Sequence, residues 1–241
     1  MKSNLELVPS SNQQIHKEHI LLPRYPLHLM TFKCSEHGHT LEICDISTVG
    51  MQVENKLMNI SWKTKTPVLG TLRFQGKQID ISAEVIWVKQ GRAGLKFTTK
   101  ALQQQIAETV LDIGQLVSNM RALHLNVAQE KPLNLKYWFQ ANGPLEWLIW
   151  SGYQESLSSC LWIYSHFFVQ WNSREGIKTG RIYRQRGGND DWNLMEGECV
   201  LLMDPEINED LMNKLSFFMT HFSAENFHGD DFAILKAKLV T

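Results

Sequence analysis

Cysteine is scarce in this chain and scattered. Cys34, Cys44, Cys160 and Cys199 form no C-x-x-C pair, which argues against a structural zinc site and for buried thiols in a reducing compartment. The histidines show no H-E-x-x-H spacing, and there is no G-x-S-x-G elbow or phosphate-cradling glycine loop. Cys160 and His166 share one stretch without an activating arrangement around them. Metal-assisted hydrolysis, serine-type acyl transfer and P-loop chemistry therefore find no footing, and no enzyme and no cofactor are expected. Long apolar runs are missing too. The most apolar stretch, 160–171, is broken by Ser165, His166 and Gln170, too short to span a bilayer. The N-terminal residues are polar, without the apolar core of a signal peptide. A soluble, cytoplasmic protein without membrane insertion is the expectation.

What is present fits one large domain or two small ones in 241 residues. The net charge of -1 hides an asymmetry. Residues 1–100 carry 13 Lys/Arg against 8 Asp/Glu, and residues 101–241 carry 11 against 17. A mildly basic first half suits an anionic ligand better than a bulk nucleic-acid surface.

Residues 1–19 are polar and mixed, and read as a flexible lead-in. Pro23 and Pro26 bracket Arg24-Tyr25 and impose an extended approach. Strands follow at 27–33, 40–46, 51–54, 68–74, 78–88 and 93–98. Gln75-Gly76-Lys77 and Gln90-Gly91-Arg92 supply tight turns, and Asp45-Ile46-Ser47-Thr48-Val49-Gly50 a polar one. Ile79, Ile81, Ala83, Val85 and Trp87 alternate onto one face, which predicts that all five point inward. Short antiparallel strands ending near 98 predict a small β-barrel. From Lys100 the period changes. Leu102, Ile106, Val110, Ile113, Val117, Met120 and Val127 predict one long connecting helix over 101–128, despite Gly114.

Arg24-Tyr-Pro-Leu27, Asp45-Ile-Ser-Thr-Val-Gly50, Glu84-Val-Ile-Trp-Val88 and Gly94-Leu-Lys-Phe97, in that order, make residues 20–100 resemble a PilZ domain. The resemblance implies a six-stranded antiparallel barrel, a bacterial receptor module for cyclic di-GMP, and a role in signalling or motility. It also implies a ligand site built from R-x-x-x-R before the barrel and D/N-x-S-x-x-G on its surface. Asp45, Ser47 and Gly50 match the second motif. Arg24 supplies one arginine of a degenerate first motif; Ile20 stands at the other position, or His28 in the alternative register. Lys17 and His19 are the substitute cations nearby. Two functions follow as alternatives: a cyclic di-GMP-binding effector that relays the signal to a partner, or an adaptor that binds protein partners without nucleotide.

Residues 129–241 carry six of the eight tryptophans and predict a small α+β domain. Strands are expected at 133–140, 146–150, 179–185 and 198–203, with 160–171 a long strand or a short buried helix. Asp204-Pro205-Glu206 predicts a helix start, continued by Ile207, Leu211, Leu215, Phe218, Met219 and Phe222, and 233–240 predicts a closing strand. Arg174, Lys178, Arg181, Arg184 and Arg186 form the densest basic run. Glu175 and Asp190-Asp191 beside it favour a solvated strand face over a nucleic-acid surface. The expected architecture is thus mainly β plus α: a PilZ-like barrel, a connecting helix, and an α+β unit.

Overall fold

The computed structural model describes residues 16–22, 30–54, 60–89, 91–125, 134–184 and 197–240. In chain order, β1 (Lys17–Leu22) precedes six strands: β2 (Met30–Cys34), β3 (Thr40–Ser47), β4 (Gly50–Glu54), β5 (Pro67–Phe74), β6 (Lys77–Lys89) and β7 (Arg92–Phe97). Helices α1 (Lys100–Thr109) and α2 (Ile113–Ser118) lead to β8 (Arg121–Ala122). Then come β9 (Leu135–Gln140), β10 (Leu145–Ser151), β11 (Leu157–Tyr164), β12 (Phe167–Asn172), β13 (Gly176–Arg184), β14 (Gly197–Met203), α3 (Glu209–His221) and α4 (Asp231–Leu239).

Strands β2 to β7 close into an antiparallel barrel in the order β2-β3-β4-β7-β6-β5. Closure pairs every strand on both sides, so the barrel has no open edge. Its interior is filled by alternate residues, among them Phe32, Ile43, Val53, Leu72, Val85 and Leu95. The predicted β5–β6 turn is made by Gln75 and Gly76, both at positive φ (50° and 75°), as a two-residue hairpin demands.

The second half forms one eight-stranded antiparallel sheet, β1-β14-β13-β12-β11-β10-β9-β8. Its near-continuous apolar strands are explained by burial on both faces. In β10 and β11, Trp147, Ile149, Cys160 and Trp162 face α3 and α4, while Leu148, Leu161 and Ile163 belong to a second cluster on the opposite face. The 160–171 stretch is two strands, not one: β11 and β12 are joined by the two-residue turn Ser165-His166, with Ser165 left-handed at φ 56°.

Four expectations change in detail. The end of the lead-in is ordered: Lys17–Leu22 pair with Leu202–Gly197 of β14, so the barrel sits between the first and the remaining strands of this sheet. Ile20 and Leu22 explain it, because both join the apolar cluster on the second face. The 101–128 linker is helical only as far as Ser118 and is broken into α1 and α2, because the Asp112 carboxylate caps a new start by accepting from the Gln115 amide at 2.7 Å; Arg121–Ala122 are strand β8 and Leu123–Leu125 a 3-10 turn, and residues 126–128 lie outside the described ones. Helix α3 begins four residues later than expected, capped by Asn208, since Asp204 instead accepts a 2.8 Å bond from the Thr179 hydroxyl. Residues 231–239 are a helix rather than a strand. Leu235 and Leu239, four apart, face the core, and Asp231 holds the first turn to β9 through Tyr137 and Lys136.

A single contiguous apolar cluster runs from the barrel interior through Ile106 and Leu116 into Trp147, Trp162, Phe218 and Leu235. The Tyr164 hydroxyl adds a 2.5 Å bond to the Leu111 carbonyl, and burial pushes its pKa up to about 12. A shared core predicts one cooperative unit. Urea unfolding followed by tryptophan fluorescence and by far-UV circular dichroism is expected to give coincident transitions; two separated transitions would show that barrel and sheet unfold independently.

Candidate functional site

Strand β3 alternates buried and outward residues as far as Ile43, and then the register slips between Ile43 and Asp45. Cys44 and Asp45 are both half-exposed before Ile46 turns in. Strand β6 does the same between Val85 and Trp87, leaving Ile86, Trp87 and Val88 outward. Such bulges re-aim side chains by inserting one residue into a ladder. Here they re-aim Asp45 and Trp87 onto the same line.

That line crosses four strands in register: Asp45 opposite Gln52, Gln52 opposite Gly94, and Gly94 opposite Trp87. The Trp87 indole lies on Gly94, where an added Cβ would meet the indole nitrogen at 2.2 Å, and the residue as a whole is 39% exposed. Neighbouring strands are about 4.8 Å apart, so the carboxylate strand and the indole's seat are about 10 Å apart. The next outward row is Ser47, Gly50, Lys96 and Glu84. The Ser47 hydroxyl donates to the Gly50 carbonyl at 3.2 Å and closes the turn. Gly50 is needed for packing: a Cβ there would stand 2.3 Å from the Leu95 carbonyl oxygen.

The other wall comes from the eight-stranded sheet. The Ser165 hydroxyl donates to the Ile46 carbonyl at 2.5 Å, inside the D-x-S-x-x-G segment. His166 Nδ1 lies 3.1 Å from that hydroxyl and 4.0 Å from Asp45 Oδ2. Arg181, opposite Phe167 in register, holds its guanidinium 5.9 Å from the Phe167 ring centroid, and the His166 ring lies tilted against the same phenylalanine, centroids 4.0 Å apart. Burial first, and the Arg181 charge second, push the His166 imidazole below its ordinary 6.5.

Among the expected site residues, Asp45, Ser47 and Gly50 are brought together on one barrel face. Arg24 lies outside the described residues, as does His28 of the alternative register. Ile20 packs against the sheet's second apolar cluster, away from the barrel interior. Lys17 and His19 sit on β1, opposite Leu202 and Val200. Trp87 is corrected from inward to outward, because the β6 bulge inverts the alternation after Val85. Gln52, Ser165, His166 and Arg181 were not singled out for this site; the signal for Trp87 was four consecutive apolar residues, Val85-Ile86-Trp87-Val88, in a strand that had alternated. Cys160 is fully buried and its thiol is pushed up to about 12, so it is no nucleophile. Among the described residues, no three His, Cys, Asp or Glu side chains converge as a metal site, and no helix is long and apolar enough to cross a membrane.

Comparison with known proteins gives one family. Residues 23–112 match the family described as PilZ domain, a stretch that runs from the residue after β1 to the cap of α2. No curated protein matches the chain. A solved structure of an uncharacterized Legionella protein is similar to it at 17% identity and a TM-score of 0.29, over 36% of this chain and 85% of that one.

Two outcomes follow from the geometry. Gly50→Ala is expected to destabilise the fold by about 1–3 kcal/mol through overpacking against backbone, read as a lowered Tm without any ligand present. His166 binds its proton more weakly folded than unfolded, so its contribution to stability is complete above its ordinary 6.5 and is lost as pH falls through the lower folded value. Denaturation series across that window should show stability falling with pH, and His166→Gln should flatten the slope; an unchanged slope would remove His166 as its source.

Proposed function

We propose, from the premise that residues 23–112 are a PilZ domain, that the protein is a cyclic di-GMP-responsive effector that relays nucleotide binding to a protein partner in bacterial signalling. The observation that carries this reading is the outward row Asp45–Gln52–Gly94–Trp87, set beside the intact D-x-S-x-x-G turn. An Asp carboxylate accepts from the N–H groups of a guanine edge, a side-chain amide offers both donor and acceptor, and an exposed indole gives a stacking face. Gly50 keeps the turn flat against β7. A ligand that takes Asp45 competes with the His166 contact and alters how the Ser165-His166 turn seats on the barrel. Binding at the barrel is thereby felt in the second sheet, where a partner reads it.

A nucleotide-independent adaptor is the second reading, favoured by two observations. Ile20, at the position of the missing arginine, is committed to the sheet's apolar cluster, and the Ser165-His166 turn already occupies part of the motif face.

Calorimetric titration of the full chain with cyclic di-GMP separates the two. The effector reading expects saturable binding, weakened about 10-fold or more by Asp45→Asn and by Trp87→Ala, since each removes a contact of about 1–3 kcal/mol. Absence of binding at high protein concentration would leave the adaptor reading standing.

A further inference from the structure

We infer that Arg181, on β13 of the second sheet, supplies the phosphate-binding guanidinium that the segment around Ile20 lacks, so that the nucleotide site is completed across the barrel–sheet junction. This rests on the cyclic di-GMP reading above. A dianionic nucleotide needs cationic donors, and with Ile20 packed into an apolar cluster the barrel's own approach segment is short of one. On the motif face Lys96 stands in the row of Gly50, but an ammonium is a point charge without the planar fork, and Arg92, in the row on the other side of Gly94, stands opposite Glu54.

The structure brings a guanidinium to the opposite side of the same motif. Arg181 is exposed, and it makes no ion pair with a carboxylate among the described residues. Its guanidinium is oriented by the Phe167 ring, whose neighbour His166 stands 4.0 Å from Asp45 and is close enough to Arg181 to feel its charge. Ser165, next in the same turn, is bonded to Ile46 within the motif. The turn thus fixes Arg181 relative to Asp45 by a short chain of ring and hydrogen-bond contacts. A guanidinium held in place before the ligand arrives loses less freedom on binding than one on an unstructured arm. Lys178 of the same basic run is not equivalent, because it is paired with Glu175.

Titration of the full-length wild type, Arg181→Ala and Arg181→Lys with cyclic di-GMP, at two salt concentrations, tests the assignment. The expected result is a 10- to 100-fold weakening in Arg181→Ala, roughly that of one lost charge-assisted contact, with a shallower salt dependence and an intermediate affinity for Arg181→Lys. Both variants should keep the wild-type Tm, because the side chain is exposed. Wild-type binding with unchanged affinity in Arg181→Ala would overturn this inference while leaving the proposed function intact. No binding by the wild type would overturn both.

Discussion

A hydrogen bond from the Ser165 hydroxyl to the Ile46 carbonyl joins the two halves of the molecule at the D-x-S-x-x-G segment of the barrel. Ile46 is fully buried, so its side chain is held by the barrel interior while its carbonyl faces the other sheet. Ser165 adopts a left-handed conformation in a turn of two residues, which ties its position to the register of β11 and β12. The two ladders therefore meet at this donor and acceptor, beside the His166–Asp45 contact and backed by an apolar cluster common to both. The positions of His166, Arg181 and Asp45 relative to each other depend on that junction.

The motif face is likewise made by irregularity in otherwise regular strands. A strict alternation in β3 and β6 would not have left Cys44 and Asp45, or Ile86 and Trp87, outward in succession. Each bulge costs a ladder position and gains a side chain on the outer surface. Gly94 completes the arrangement, since any side chain there would displace the indole.

The barrel was legible in the sequence because its signals are local: period-two alternation, a Gln75-Gly76 turn, and an ordered set of motif pieces. The helical linker was legible as an apolar stripe, but its break depends on one capping carboxylate, Asp112, which propensity alone does not rank above continuation. The 231–239 helix was misread because Ala, Ile, Leu and Val in a short run fit either period. Its orientation is set by Asp231 meeting Tyr137 and Lys136, residues about ninety positions away. Within the candidate site, Asp45–Gly50 was legible as a polar turn, and its role as a ligand motif is what the family resemblance implies. The contribution of Ser165 and His166 was not legible, because it follows from a hairpin docking across more than a hundred residues of chain.

The barrel is bracketed within the strand order of its neighbour: β1 precedes it, and β8 to β14 follow. Seven residues, 23–29, lie between the end of β1 and the start of β2, a stretch able to reach about 25 Å at full extension. Arg24 is one of them. On the near side of them, β1 lies along β14 as the edge strand of the other sheet, held by six paired residues. Trimming the chain to begin at the barrel would leave β14 as an open edge, exposing a row of backbone donors and acceptors that the intact protein covers.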